Sequence, residues 1–322
     1  MPRYRNALPQ LDGKLFLTDG GLETTLVFID KIDLPHFASI HMMKTPEGRD
    51  RLRAYFRRYA GIARETGAGF IFESPTWRAS RDWAEKLGVT PEELQRLNRE
   101  SIALIAGLRE ELESRHTPMV LSGQIGPRGD GYKPEAAMSA AEAEDYHSEQ
   151  IATFARTEAD MISAITMNSV EEAIGVARAA DAAGMPSVIS FTLETDGKLP
   201  TGQSLRDAIL EVDRATGAAP AYFMINCAHP THFAEALEAD APWVKRIRGL
   251  RANASKISHA ELDASTSLDA GDPAELGHEH AEILKRLPHI AVLGGCCGTD
   301  HRHVAAIANA CAGHAHRAAH AA

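Results

Sequence analysis

Short apolar, β-like runs alternate with longer helical patterns along this 322-residue chain, and this alternation constrains the fold more than any other feature. The runs that predict strands cover residues 15–21, 69–74, 119–126, 160–166, 187–192, 221–228, 249–255 and 290–298. Strict alternation implies parallel strands joined by crossover helices. The pattern therefore predicts an α/β fold, a (β/α)8 TIM barrel in a single domain, with a doubly wound open sheet as the alternative.

Two of the intervening segments have clear helix signals. Residues 91–115 begin with a proline in the first turn and carry leucine and isoleucine at helical spacing. Residues 169–184 begin with Ser169 as the N-cap, have Glu172 three positions later and end at Gly184. Both segments predict amphipathic helices that pack on the outside of the sheet.

The chain contains no internal repeat and no linker that would divide it. We therefore expect the barrel to span residues 1–312. Residues 313–322 form an Ala/His-rich tail that we expect to fray, because chain termini are commonly loosely ordered. Its histidines have the composition of a metal-binding tract, but a solvated helix end is the simpler interpretation.

Composition and charge exclude several classes of protein. The 44% hydrophobic content supports a sizeable core, and the formal net charge of −10 comes without a long basic run. We expect neither nucleic acid nor an anionic membrane surface as a partner. The first 21 residues lack the continuous apolar stretch of a secretory signal, and nothing approaches the roughly 20 apolar residues that cross a bilayer. A cytoplasmic location is expected, whereas the oligomeric state, including a homo-oligomer, stays open.

The four cysteines are unevenly placed. Cys296 and Cys297 are adjacent at the end of the eighth predicted strand, Cys227 ends the sixth, and Cys311 lies in the last helical pattern, where we expect it to pack. The carboxyl ends of barrel strands meet at one rim, so the first three thiols can converge. Three thiolates suit Zn²⁺, although the spacing equally allows unrelated buried thiols or a redox pair.

An open site with three thiolates favours a particular chemistry. Three protein ligands leave one zinc position free, which is typical of catalytic sites. Such a centre is a weak activator of water, but it suits a fourth, substrate thiol held as the thiolate. The chemistry favoured is alkylation of that thiol.

Seven segments distributed over the chain resemble one known family. They are LTDGGLETTL (17–26), ESPTWRAS (73–80), SGQIGPRGDGY (122–132), EDYHSEQI (144–151), SFTLETDGKLPTGQSL (190–205), INCAHP (225–230) and GGCCGT (294–299). Together they resemble the cobalamin-independent homocysteine S-methyltransferase family, which includes betaine–homocysteine methyltransferase and the homocysteine module of methionine synthase. The most specific part of this resemblance is the presence of both INCAHP and GGCCGT, each at the end of a predicted strand.

The resemblance implies roles for individual residues. It makes Cys227, Cys296 and Cys297 the zinc ligands. It assigns Asp19 as the catalytic residue, either at the substrate amine or near the zinc. Asp19 and Asn226 are also expected to bind substrate, and Asn226 to shape the turn after strand 6.

The chain departs from the family after strand 4. Ile165 stands where the family has a glutamate that helps to hold the amino-acid head of homocysteine, whereas Thr166 is kept as a substrate-binding residue. Our hypothesis is that Glu23 or Glu73 binds the substrate amine instead. Glu23 could equally cap the helix or loop that follows it.

Other side chains near these motifs have two interpretations each. Trp77 is either a cavity wall that attracts a cationic methyl donor or a packing residue. The histidines His229, His232, His301 and His303 could support the ligands or provide a fourth one, but capping of helix starts is more common, so we leave them out of the metal set.

The residues and the resemblance together predict a zinc-dependent S-methyltransferase that moves a methyl group from a sulfonium or ammonium donor to a small thiol. The expected acceptor is homocysteine, giving methionine, and the donor could be S-methylmethionine, S-adenosylmethionine or betaine. The alternatives are a different thiol acceptor, a non-catalytic vicinal-dithiol zinc or redox sensor, and a phosphate-binding loop at GGCCGT (294–299).

Overall fold

The computed structural model describes residues 1–134 and 137–313, and eight parallel strands within them form a closed barrel. The strands are β1 (Phe16–Leu17), β2 (Gly69–Glu73), β3 (Met119–Ile125), β4 (Met161–Met167), β5 (Ser187–Thr192), β6 (Tyr222–Asn226), β7 (Ile247–Ala252) and β8 (Val292–Gly295). Each strand pairs with the next, and Phe16 lies opposite both Gly69 and Val292, so β8 closes on β1. The predicted TIM barrel is confirmed, and the open sheet is wrong.

Helices surround the barrel. They are α1 (Leu22–Thr24), α2 (Pro46–Thr66), α3 (Arg81–Lys86), α4 (Pro91–Leu112), α5 (Ala140–Ala155), α6 (Val170–Ala182), α7 (Leu205–Thr216), α8 (Pro230–Phe233), α9 (His259–Ala264), α10 (Pro273–Arg286) and α11 (His301–Cys311). A π-helix covers Thr25–Ile29, and 3-10 helices cover Pro9–Leu11, Pro35–Phe37, Ser39–Lys44, Ala234–Ala236 and Pro242–Arg246. The β6–β7 connection contains only the short α8 and two 3-10 turns, so the helical ring is thinnest there.

The two helices predicted in detail form with small differences at their ends. Helix α4 stops at Leu112, three residues before the predicted end. In α6 the Ser169 hydroxyl accepts a hydrogen bond from the Glu172 backbone N–H, as the capping pattern predicts. The Glu172 carboxylate does not complete the capping box. It accepts from the backbone N–H of Arg128 and lies 2.8 Å from Nε2 of His147, which ties α6 to α5 and to the β3 loop.

The strands at the seam of the barrel are shorter than predicted. β1 contains two residues instead of the seven expected for 15–21, and β8 ends at Gly295 instead of residue 298. The remaining motif residues leave the ladder and form the loops at the carboxyl rim. The apolar runs therefore mark where each strand begins, and the polar residues that follow them belong to the site.

The barrel interior changes from apolar to polar along its axis. Its lower part is filled by apolar side chains, to which every strand except β7 contributes, for example Phe16, Ile71 and Met161. Two residues further along β2 and β4 come Glu73 and Ser163, and the interior there is polar. Apolar packing fills the barrel at the amino ends of the strands, and the polar carboxyl ends are left for chemistry.

The two ends of the chain differ in what the structure describes. Near the N-terminus, the backbone N–H groups of Arg3 and Tyr4 donate to the Asp160 carboxylate, which also pairs with Arg109. Of the tail predicted to fray, residues 314–322 lie outside the described residues, so the domain boundary at 312 stays a prediction. None of the helices in the described ranges combines the length and apolar character needed to cross a bilayer.

Candidate active site

Three cysteines converge at the carboxyl rim of the barrel. Cys227 follows β6, Cys296 and Cys297 follow β8, and their sulfur atoms lie within 4.8 Å of one another. Among the described residues they form the only group of three or more His, Cys, Asp or Glu side chains that could hold a metal ion. A set of three sulfur donors with two partly accessible members suits a thiophilic, tetrahedral metal.

The cysteines are not all in the same state. Cys227 and Cys296 are joined by a disulfide, and the Cys297 sulfur lies 4.0 Å from that of Cys227. The bond that forms is therefore not the vicinal Cys296–Cys297 pair considered for a redox sensor. Cys311 is free and buried in α11, away from the other three.

The backbone at the site adopts a strained conformation at two positions. Cys227 and Thr166 have φ angles of 51° and 66°, in the left-handed region that non-glycine residues rarely occupy. Asn226 connects them. Its Oδ1 accepts from the Thr166 N–H (2.9 Å) and the Ser190 hydroxyl (2.6 Å), and its Nδ2 donates to Thr166 Oγ1 (2.9 Å). Asn226 thus ties β4, β5 and β6 together beside Cys227.

The glycines of GGCCGT have two different functions. A Cβ atom at Gly294 would overlap the Thr18 hydroxyl, and one at Gly295 would overlap the Thr299 hydroxyl, so both positions require close approach to a neighbour. Only Gly298 has a left-handed φ, of 79°. The turn after Cys297 therefore needs glycine for its backbone, whereas β8 needs it for space.

The cysteine cluster opens into a cavity of about 420 Å³. Of the predicted site residues, the cavity lining includes Asp19, Glu23, Thr166, Cys227, Cys296 and Cys297. Ile165 and Trp77 also belong to the lining, whereas Glu73 and Asn226 lie behind it. Trp77 Nε1 donates to the Ile165 carbonyl over 3.1 Å, which fixes the indole as a wall of the cavity.

Asp19 is held by two partners at the cavity surface. Arg251 Nη2 donates to Asp19 Oδ1 (2.7 Å), and the Tyr55 hydroxyl donates to Oδ2 (3.1 Å). Burial raises the pKa of Asp19, and the adjacent Arg251 guanidinium opposes that effect. The carboxylate is therefore fixed in orientation and paired with a buried cation.

The two carboxylates considered as substitutes at the substrate amine differ in position. Glu23 lines the cavity, and its Oε1 accepts from the Ser39 hydroxyl (2.6 Å). Burial raises the pKa of Glu23, and the Ser39 hydrogen bond opposes it. Glu73 is 3% exposed inside the barrel, 3.9 Å from Arg251, and neither of its oxygens accepts a hydrogen bond within the described part of the chain. Burial raises the pKa of Glu73 to about 7.

Loops from several strands meet at the cavity mouth. The Arg78 guanidinium lies over the rings of Trp77 and Trp83, at 4.8 and 4.5 Å from their centroids, and donates to the His36 carbonyl. On the β3 loop, Tyr132 places its hydroxyl 3.3 Å from the sulfur of Cys297. These contacts connect the β1, β2 and β3 loops around the cysteines.

The histidines near the cysteines are engaged elsewhere. The His229 side chain caps α8 by accepting from the Thr231 N–H, and burial lowers the pKa of His229 to about 4. His232 contacts the Lys256 carbonyl through Nε2, and His303 completes a capping box at the start of α11.

Sequence reasoning missed three residues that contact the predicted site residues. Arg251 had a visible signal, because a charged residue interrupts the apolar run of the seventh predicted strand. Tyr132 ended a quoted motif, but nothing indicated that its hydroxyl meets a cysteine. Tyr55 lies on α2 within an ordinary amphipathic pattern, and no signal distinguished it.

Comparison with solved structures shows the same architecture. The homocysteine methyltransferase MmuM from Escherichia coli, in its oxidized form, superposes with a TM-score of 0.73 at 19% identity, covering 95% of this chain and 99% of that one. Its metallated form gives 0.71 at 18% identity, covering 94% and 98%. At these identities the likeness establishes the fold alone. No curated protein matches this chain in sequence.

A match to a family model shows which family the chain belongs to. The model for homocysteine S-methyltransferase matches residues 16–311, from the first barrel strand to the last helix. The match spans the barrel and all three cysteines of the cluster. The chain is a methyltransferase and belongs to the homocysteine S-methyltransferase family.

Proposed function

We propose that the protein transfers a methyl group from a sulfonium or quaternary ammonium donor to the sulfur of homocysteine, giving methionine, at a zinc ion held by Cys227, Cys296 and Cys297. The observation that carries the proposal is the convergence of these three sulfurs on one cavity at the carboxyl rim. Family membership supports the small thiol acceptor and the methyl donor.

The three cysteines bind the metal in their reduced form, after the Cys227–Cys296 disulfide has been opened. A reducing cytoplasm is the compartment that maintains this state. Zinc bound by three thiolates supplies an open position that stabilises an acceptor thiol as its nucleophilic thiolate near neutral pH.

The reaction conserves atoms and charge in a simple way. The acceptor loses its thiol proton to solvent on binding. Its sulfur then attacks the methyl carbon in line, and the bond between that carbon and the donor sulfur or nitrogen breaks. The bonding electron pair goes to the donor atom, which leaves without its positive charge. The cavity brings the two reactants together.

The amino-acid head of the acceptor contacts carboxylates on the β1 side of the cavity. Glu23 lines the cavity, and its position supports it over Glu73 as the residue that replaces the missing strand-4 carboxylate. Asp19 lies on the same side of the cavity, and the lone pairs of its carboxylate that are not bonded to Arg251 or Tyr55 can accept from the substrate amine. Thr166 forms the wall next to Cys227, with its Oγ1 3.9 Å from that sulfur. Asn226 positions Thr166 from behind.

The charge of the cavity favours a cationic donor. Its lining contains five carboxylates, Asp19, Glu23, Asp130, Asp263 and Asp269, against two guanidiniums, Arg78 and Arg251. The Trp77 indole adds an aromatic wall, and a sulfonium or quaternary ammonium group is attracted to such a ring. S-methylmethionine, S-adenosylmethionine and betaine share this chemistry. Methionine formation from homocysteine with each donor in turn identifies which one is used, and activity with none of them contradicts a cationic donor.

The acceptor and the metal are tested together by calorimetry. Reduced, zinc-loaded protein is titrated with homocysteine in two buffers of different ionisation heat. We expect binding with release of about one proton in the wild type and in Cys311→Ser, which removes a cysteine outside the cluster. Cys297→Ser should lose zinc and proton release.

The outcomes separate the acceptor from the metal. If the wild type contains no zinc after reduction and loading, the three-thiolate centre is wrong. If it contains one zinc per chain and does not bind homocysteine, the acceptor is another thiol, and the apolar Ile165 in the lining becomes the residue that selects it.

A further inference from the structure

The Tyr132 hydroxyl lies 3.3 Å from the sulfur of Cys297, and the proposed chemistry assigns it no function. Cys297 is the member of the cluster that takes no part in the disulfide. Its side chain must therefore be oriented by other contacts. The Tyr132 hydroxyl is within hydrogen-bond distance of this sulfur, and a phenol O–H donates to a thiolate.

Two contacts hold Tyr132 in place. Its ring stacks on the imidazole of His259, with centroids 3.9 Å apart and planes 15° apart. His259 is fixed in turn, because Nε2 contacts the Cys227 carbonyl and Nδ1 lies 3.1 Å from Oε1 of Glu194. The tyrosine thus stacks on a side chain that is anchored to the residue carrying another sulfur of the cluster.

The loop that carries Tyr132 has little freedom. A Cβ atom at Gly131 would lie 2.8 Å from Thr166 Cγ2, so the loop backbone packs directly against the end of β4. Asn168 Nδ2 donates to the carbonyls of Asp130 and Gly131. Lys133 pairs with Asp263 at 3.5 Å across the mouth. The phenol is therefore placed on the sulfur by the fold and not by a mobile side chain.

We propose that Tyr132 is a positioning residue for the metal centre, whose hydroxyl donates to the Cys297 thiolate and holds that sulfur as the third ligand. This inference rests on the proposed function. A hydrogen bond to a ligand atom fixes its orientation and withdraws electron density from it, and loss of such partners commonly weakens metal binding about 10- to 100-fold.

The test uses Tyr132→Phe, which keeps the ring that stacks on His259 and removes only the hydroxyl. The matched control is Tyr146→Phe, which removes a hydroxyl bonded to Ser80 on the outer side of the barrel. The reduced proteins are loaded with Co²⁺, because its thiolate charge-transfer bands report on the sulfur ligands. Metal affinity is measured by competition with a chelator.

We expect the Co²⁺ dissociation constant of Tyr132→Phe to rise about tenfold or more. We also expect its thiolate-to-metal band to move to longer wavelength, since a sulfur without the hydrogen bond gives up electrons more easily. Tyr146→Phe should match the wild type in both measurements.

Two results overturn the inference while leaving the proposed function intact. One is a dissociation constant and a band that both match the wild type. The other is weaker binding with an unmoved band, because that pattern means the loop has shifted without a hydrogen bond to sulfur. If wild-type protein binds no Co²⁺ at all, the proposed metal centre itself fails, and with it this inference.

Discussion

Arg251 and Asp19 form a buried ion pair at the surface of the active-site cavity, with Nη2 and Oδ1 2.7 Å apart and the two residues 4% and 3% exposed. The pair joins β7 to the loop after β1, residues 232 positions apart in the chain. It fixes the orientation of one cavity carboxylate, and the Arg251 guanidinium opposes the rise in the pKa of Asp19 that burial causes. The same guanidinium lies 3.9 Å from Glu73, so three ionisable groups share a single buried environment.

The effects of removing the two members of this pair on stability should not be additive. Asp19→Asn and Arg251→Met are each expected to lower the free energy of unfolding by about 3 kcal/mol, because each leaves a buried charge without its partner. The double variant should lose clearly less than the sum. Urea unfolding of the four proteins in one redox state measures this coupling, and additive losses would show that the two charges do not interact.

The acceptor amine should depend on Glu23. Glu23→Gln is expected to raise the homocysteine dissociation constant about ten- to hundredfold, since a charge-assisted hydrogen bond contributes roughly 1.5–3 kcal/mol. Glu73→Gln is the matched control and should change it less than threefold, because Glu73 lies outside the cavity lining. Calorimetry on reduced, zinc-loaded protein gives both constants. The reverse pattern would assign the amine to Glu73, and two unchanged constants would exclude both carboxylates.

Much of the fold could be predicted from the sequence, because the alternation of strands and helices that builds a barrel is visible within short segments of the chain. The eight apolar runs mark the strands, and strict alternation with helices makes those strands parallel. The rule also explains why the cysteines could be grouped: the end of the sixth strand and the end of the eighth meet at one rim, although Cys227 and Cys296 are 69 residues apart.

The sequence could not predict side-chain contacts between different strands and helices, because the spacing of apolar residues does not encode them. Arg251 stands out as a charge within an apolar run, but its partner Asp19 could not be identified without the closure of β8 on β1. Tyr55 reaches the same carboxylate from a helix whose pattern is that of any amphipathic helix. The disulfide between Cys227 and Cys296, instead of the adjacent pair, likewise depends on side-chain directions after two strand ends.

The Asn226 side chain should be important for the shape of the site. Asn226→Ala removes the acceptor for the Thr166 N–H and the Ser190 hydroxyl, and we expect a loss of about 2–4 kcal/mol in the free energy of unfolding. Asn98→Ala is the control, because Asn98 is an equally buried amide bonded to α4 and Ala79.

The two asparagine variants should differ in metal binding. Both are expected to unfold at lower urea concentration, but only Asn226→Ala should also lose zinc affinity, because it releases the left-handed backbone at Thr166 beside Cys227. Zinc content after dialysis against a chelator measures this. Equal zinc retention in the two variants would mean that Asn226 stabilises the barrel without shaping the cysteine cluster.

Glu73 should make the stability of the protein depend on pH. Burial raises its pKa to about 7 from an ordinary value of 4.5, so between these values the folded protein keeps a proton that the unfolded chain has lost. The contribution of Glu73 is therefore most favourable below about pH 4.5, declines by about 3 kcal/mol as the pH rises to about 7, and is constant above that.

Glu73→Gln removes this decline, so its stability relative to wild type should increase from pH 5 to pH 8. Urea unfolding of reduced, metal-free protein across that range measures the difference. A stability difference between variant and wild type that stays constant from pH 5 to pH 8 would show instead that the pKa of Glu73 is not raised in the folded protein.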